Sequence, residues 1–77
     1  MLNTAETQFA RTLAVRVRTL RLYHALTQQD LARLAGVSRT AVHHIEHGTH
    51  LPRPSTLRQL ARALHVNVTR LTTDEGE

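Results

Sequence analysis

The sequence predicts an all-α fold, a compact bundle of four to five helices. Three observations predict it. Apolar residues recur at the three- and four-residue spacing of a helix face, and no segment shows the strict alternation of a half-buried strand. Three of these segments open on a capping residue, and two of them close on glycine. The chain is also short. Its 77 residues, 40% hydrophobic but only 3% aromatic, bury a thin core of Leu, Val and Ala, which helices with short connections build most readily.

The first helix is expected from Asn3 to about Ala25. Phe9, Leu13, Val17 and Leu20 share a face, and Asn3 with Glu6 has the form of a capping box. Thr27 with Asp30 marks the second start; Leu31, Leu34 and Ala35 are its expected apolar face, and Gly36 its stop. Ser38 caps a third helix that ends at Gly48. The run "THLPRP" is a loop because of Pro52 and Pro54, although Pro54 suits the first turn of a fourth helix carrying Leu57, Leu60, Ala61 and Leu64. A fifth, short helix is expected from about Asn67 to Leu71. Residues 1–8 are then an extension or the start of the first helix, residues 9–72 one domain, and residues 73–77 an acidic tail expected to fray.

Composition excludes several functions. Without cysteine there are no disulfides, no Cys-type zinc sites and no thiol catalysis. No apolar run approaches a membrane span, and "MLNTAETQF" lacks the apolar stretch of a signal peptide. A soluble cytoplasmic protein with no membrane partner is expected. Charge is more informative. The formal net charge is +4, but three of the six acids lie at residues 74–77 and Glu6 precedes the domain. From residue 7 to 73, ten arginines face only Asp30 and Glu46, a surplus of +8 with no lysine at all. A basic body of this kind suits a polyanion.

The join between the second and third helices is the most specific local signal. "AGVS", Ala35 to Ser38, is a tight turn in which Gly36 supplies positive φ. Ala32 is small enough for the third helix to cross closely, Val37 plugs the corner, and Val42 and Ile45 anchor the third helix on the same core. This order of residues makes a helix-turn-helix. At roughly 100° per residue, Ala41, Val42 and Ile45 cluster on the core side of the third helix. Arg39, Thr40, His43, His44 and His47 face out, and Glu46 lies at the border. The outer face, with an arginine, a hydroxyl and three imidazoles, suits phosphates and base edges in a major groove.

From about Val17 to Leu71, "TQQDLARLAGVSRTAVHHIEHG", the proline after it and "LRQLARALHV" resemble the Cro-like phage repressor, or xenobiotic-response-element, family of helix-turn-helix proteins. The resemblance implies a lambda-repressor-like DNA-binding domain. It assigns Arg39, Thr40 and His44 to base edges, with His43 beside them. It assigns Gln28 to a backbone phosphate, with Ser38, His47, Thr49 and Arg53 as further phosphate contacts. It also pairs Glu46, partly buried, with Arg21 of the first helix. Ala25 departs from the family, where glycine is common: either that turn avoids positive φ or it accepts strain.

Four of the six histidines crowd "HHIEHGTH", and His43-His44-Ile45-Glu46-His47 spells H-x-x-E-H, the letters of a zinc-protease motif. His43 and His47, one turn apart, could chelate an ion, but such adventitious zinc or nickel binding would mean little functionally. A catalytic zinc needs a third protein ligand, and His50, beyond the helix end, has no position fixed by periodicity. Glu46 is already assigned to Arg21, so no catalytic residue, catalytic metal or cofactor is expected. His24 and His65 read as helix-end residues rather than ligands. The expected function is a sequence-specific double-stranded-DNA-binding transcriptional regulator, a repressor acting as a homodimer on an inverted-repeat operator. Leu51, Val66, Val68 and Leu71 are the first candidate dimer surface and the extended N-terminal helix the second. The alternative is an antitoxin that neutralises a toxin protein through residues 1–8 or 72–77 and autoregulates its operon.

Overall fold

The structure, a computed structural model, describes residues 1–73. The chain forms α1 (Thr4–Tyr23), α2 (Gln28–Ala35), α3 (Arg39–His47), α4 (Pro54–Ala63) and α5 (Val68–Thr72), and the described residues contain no strand. The expected frayed tail, Thr73 apart, lies outside the described residues. No described helix is long and apolar enough to cross a membrane.

The helix starts follow from local chemistry. Asn3 accepts from the Glu6 amide at 2.8 Å while Glu6 accepts from the Asn3 amide at 3.0 Å, closing a capping box on α1. Thr27 and Asp30 close a second on α2, each bond 2.9 Å. The bond from the Thr27 amide is the main reason the Asp30 carboxyl titrates below its ordinary value. The Ser38 hydroxyl caps α3 by accepting from the Ala41 amide at 3.0 Å. Pro54 occupies the first turn of α4, where its missing N–H costs no hydrogen bond.

Three helices end in one motif. At the end of α1 the Leu26 amide donates to Arg21 O and the Ala25 amide to Leu22 O. At α2 the pairs are Val37 to Ala32 and Gly36 to Arg33; at α4 they are Val66 to Ala61 and His65 to Arg62. This double closure requires a left-handed residue. Glycine fills it after α2, Gly36 having φ +73°, but Ala25 (φ +58°) and His65 (φ +61°) fill it elsewhere. The α1–α2 turn therefore accepts strain at Ala25.

Leu13, Val17, Leu31, Val42, Leu60, Leu64 and Leu71 are fully buried at the centre, with Phe9, Leu20 and Val37 packed against them. α1 crosses α3 and α5, and α2 lies between α3 and α4. Two expectations about apolar faces are corrected. Leu34 is 57% exposed because the core direction of α2 is set by Leu31, Ala32 and Ala35, and residue 34 points roughly 100° away from their mean. Leu71 is 0% exposed; it seals the base of the core and has no side chain to offer a dimer partner.

Left-handed backbone costs a non-glycine residue about 1–2 kcal/mol, and glycine's extra freedom when unfolded takes back about 0.5–1 kcal/mol. Ala25→Gly should therefore stabilise the domain, raising the Tm by roughly 2–8 °C for a chain of this size. Thermal melting checks this; a lowered Tm would show that Ala25 carries no strain.

Candidate nucleic-acid interface

The orientation of α3 is set from its inner side. Val42 and Ile45 are buried. At its end Gly48, φ +71°, lets the backbone come down onto α1, where a Cβ would sit 3.6 Å from Ala10 O and 3.7 Å from Ala14 Cβ. Between these contacts stands the ion pair. Arg21 Nε donates to Glu46 Oε2 at 2.6 Å and Nη2 donates to Oε1 at 2.9 Å, a bidentate fork with side chains only 11% and 4% exposed. Arg21 Nη1 also donates to Leu26 O at 2.8 Å, and Gln28 Nε2 donates to Glu46 Oε1 at 3.1 Å. The Arg21–Glu46 pair thus joins α1, the α1–α2 turn, the start of α2 and α3. Its hydrogen bond raises the Arg21 pKa by more than burial lowers it, so the arginine stays cationic.

The outer side of α3 carries the residues expected to meet DNA. Arg39, Thr40, His43 and His47 are exposed and His44 is half-buried. Ser38 stands at the head of α3, with Thr49 and Arg53 exposed in the loop after it. Gln28, at the first position of α2, is half-buried, and its amide group is held on Glu46 rather than extended into solvent. The side chains that neutralise each other are turned away from this surface. Glu46 is spent on Arg21, so the outer face of α3 keeps its arginine and imidazoles with no acid among them.

The imidazoles form two pairs. His43 and His47 lie with ring centroids 4.1 Å apart and planes 40° apart. His44 and His50 stack at 4.4 Å and 16°. Periodicity assigns His50 no position or role, yet the stack gives it a definite place, where it and His44 line a mostly apolar cavity of about 170 Å³ with Ala41, Ile45, Pro52 and Thr56. Its one signal was the left-handed Gly48, which folds the chain back along α3. The zinc-protease spelling comes apart in three dimensions: Glu46 points inward to two partners while His43 and His47 point outward. A carboxylate so placed cannot serve as a general base for an ion on the outer face. Among the described residues no three His or acidic side chains converge to hold a metal ion. His24 and His65 sit at the ends of α1 and α4, where His24 Nε2 donates to Leu64 O at 3.1 Å and the rings meet edge to face at 5.7 Å.

A family model described as a helix-turn-helix domain matches residues 12–73. Among solved structures, the chain is similar to an HTH_3 family transcriptional regulator from Vibrio cholerae, with 27% identity and a TM-score of 0.81. That match covers 86% of this chain and 37% of the other, so the chain spans well under half of the Vibrio protein. The restriction-modification controller protein C.AhdI from Aeromonas hydrophila is 31% identical with a TM-score of 0.77, over 80% of this chain and 94% of that one. A hypothetical transcription factor, NHTF from Neisseria, is 29% identical with a TM-score of 0.82, over 88% and 78% respectively. No curated protein sequence matches the chain.

The ion pair makes a prediction that needs no DNA. Removing one partner strands a buried charge, which costs about 3–5 kcal/mol, a large share of a small domain's stability. Glu46→Ala or Arg21→Ala should collapse the Tm, whereas Arg33→Ala, which breaks the exposed 3.5 Å contact to Asp30, should barely move it. Equal effects in calorimetry would show that the Arg21–Glu46 pair is no more than a surface contact.

Proposed function

The chain belongs to the helix-turn-helix domain family, of the Cro-like or xenobiotic-response-element kind, and from that membership we propose that it represses transcription as a homodimer reading an inverted-repeat operator in double-stranded DNA. The observation that carries this reading is the acid-free outer face of α3, held by the buried Arg21–Glu46 fork. A helix presented in this way enters a major groove with its first residues at base edges. Arg39, Thr40, His43 and His44 are the base readers. Arg39 forks onto guanine O6 and N7, and the stack on His50 holds His44 in one orientation. Gln28, Ser38, His47, Thr49 and Arg53 grip phosphates. For Gln28 the grip comes from the amide N–H groups opening α2 and from the second N–H of its side chain, because Glu46 holds the first.

The dimer reading draws on size and surface. The domain measures 31 × 28 × 19 Å, and successive major grooves on one side of DNA lie roughly 34 Å apart. Two copies side by side therefore touch when both recognition helices are seated. Apolar surface for that contact is present at Leu22 and Tyr23, 58% and 81% exposed, beside a cavity of about 480 Å³ that Val66 also lines. The Aeromonas controller protein, matched over 94% of its length, supports regulation by a domain of this size.

Footprinting on DNA upstream of the protein's own coding sequence tests the mode of binding. Two protected half-sites in inverted orientation, centred about 10 base pairs apart, are expected; one isolated half-site at saturating protein would remove the dimer.

Substitutions separate readers from grippers. Arg39→Ala should cost on the order of 1–3 kcal/mol and relax the preference at one base position, while Gln28→Ala should weaken all sequences about equally. Binding measured against an operator library checks this, and the same loss of discrimination in both variants would overturn the division of roles.

A further inference from the structure

We propose that His43 and His47 form a two-imidazole chelate for a divalent transition-metal ion such as Zn²⁺, and that the bound ion switches off DNA reading by α3. The inference rests on the DNA-binding reading above for its consequence, but not for the site itself. Two observations carry the site. The rings lie one helical turn apart with centroids separated by 4.1 Å, and both side chains are exposed. Nitrogens on a tetrahedral zinc stand roughly 3.3 Å apart, from bonds of about 2.0 Å, so small rotations bring one nitrogen of each ring onto a shared ion.

The second observation concerns the proton on His47. Its Nδ1 lies 3.2 Å from the carbonyl oxygen of His43. A carbonyl only accepts, so the bond requires Nδ1–H, which leaves the lone pair on Nε2. Metal-binding histidines are arranged in this way, with the second ring nitrogen donating to a carbonyl or carboxylate that fixes tautomer and orientation. Imidazole is a ligand suited to zinc, nickel and copper. Because no third protein donor converges among the described residues, water completes the coordination.

The consequence follows from where the ion sits. His43 is a base reader and His47 a phosphate gripper on the same face, and His44 is 6.0 Å from His43. An ion with its waters takes up both rings and stands where α3 must meet the floor of the groove. The lost contacts are specific ones, so affinity for the operator falls while the ion's charge leaves non-specific affinity unchanged or raised.

Titration calorimetry of the DNA-free protein with zinc chloride decides the chelate by itself. One ion per chain is expected, lost in His43→Gln and in His47→Gln and retained in His65→Gln, with circular dichroism reporting intact helices throughout. No heat, or binding that survives both glutamine variants, would overturn the site. Operator binding is then measured by fluorescence anisotropy in chelator and in zinc. The unsubstituted protein should bind roughly tenfold more weakly in zinc, equivalent to about 1.4 kcal/mol, and each glutamine variant should give the same affinity with and without it. A zinc effect that is absent, or that strengthens operator and unrelated DNA alike, would overturn the switch. Failure to bind operator in chelator would instead strike at the proposed function, leaving the calorimetric result on the site intact.

Discussion

The Arg21–Glu46 fork is the interaction on which the rest of the structure depends. Most contacts in this domain are apolar and non-directional, and a thin core of Leu, Val and Ala tolerates small rotations of its helices. The fork does not. Two hydrogen bonds in one plane fix α3 to α1, and the further bonds to Leu26 O and from Gln28 extend the constraint to the turn and to the start of α2. The energetic reason for keeping a buried ion pair is rarely net stability, since desolvation offsets most of the attraction. Its use here is geometrical. A reading helix must present its outer side chains within a fraction of an ångström, and the pair supplies the directionality that leucines lack.

The fork also decides the charge of the surface. Glu46 is the one acid of α3, and turning it inward leaves that helix with an outer face of arginine, hydroxyl and imidazole. A carboxylate at that border facing outward would repel phosphate and offer a third donor to any ion held by His43 and His47. One side-chain orientation therefore separates an acid-free basic face from one with three metal donors. The spelling H-x-x-E-H is common to both; the direction of Glu46 is not.

Helix ends supply the remaining constraint. Three of the connections turn through a left-handed residue closed by the same pair of hydrogen bonds, which satisfies the last carbonyls of each helix. Glycine carries this without strain at Gly36, inside the helix-turn-helix, where the crossing of α2 and α3 matters most. Ala25 and His65 carry it with strain. Beside each, a side chain bonds a backbone carbonyl of the turn: that of Leu26 is bonded by Arg21, and that of Leu64 by His24.

The sequence by itself determined where helices begin and end, because those signals act over three or four residues. The capping pairs Asn3–Glu6 and Thr27–Asp30, the hydroxyl of Ser38, the glycines at 36 and 48 and the proline at 54 are all local, and each stands where its chemistry places it. The outward face of α3 was legible for the same reason, as a matter of angle around one helix. The pairing of Arg21 with Glu46 was available only through family resemblance, since nothing local connects residues 25 apart. Tertiary structure alone decided the rest. Leu34 looked like core by spacing and lies outside, because only packing against α3 and α4 defines which side of α2 is inward. Leu71 looked like surface in a short terminal helix and closes the core, because α5 folds back across α1. His50 had no periodicity to place it until Gly48 turned the chain and His44 offered a ring to stack on. Gln28 looked free to reach out and is tethered to Glu46, because the two meet only after α2 and α3 have crossed. A signal written within one turn of backbone can be read from the chain; a contact that exists only once two helices meet cannot.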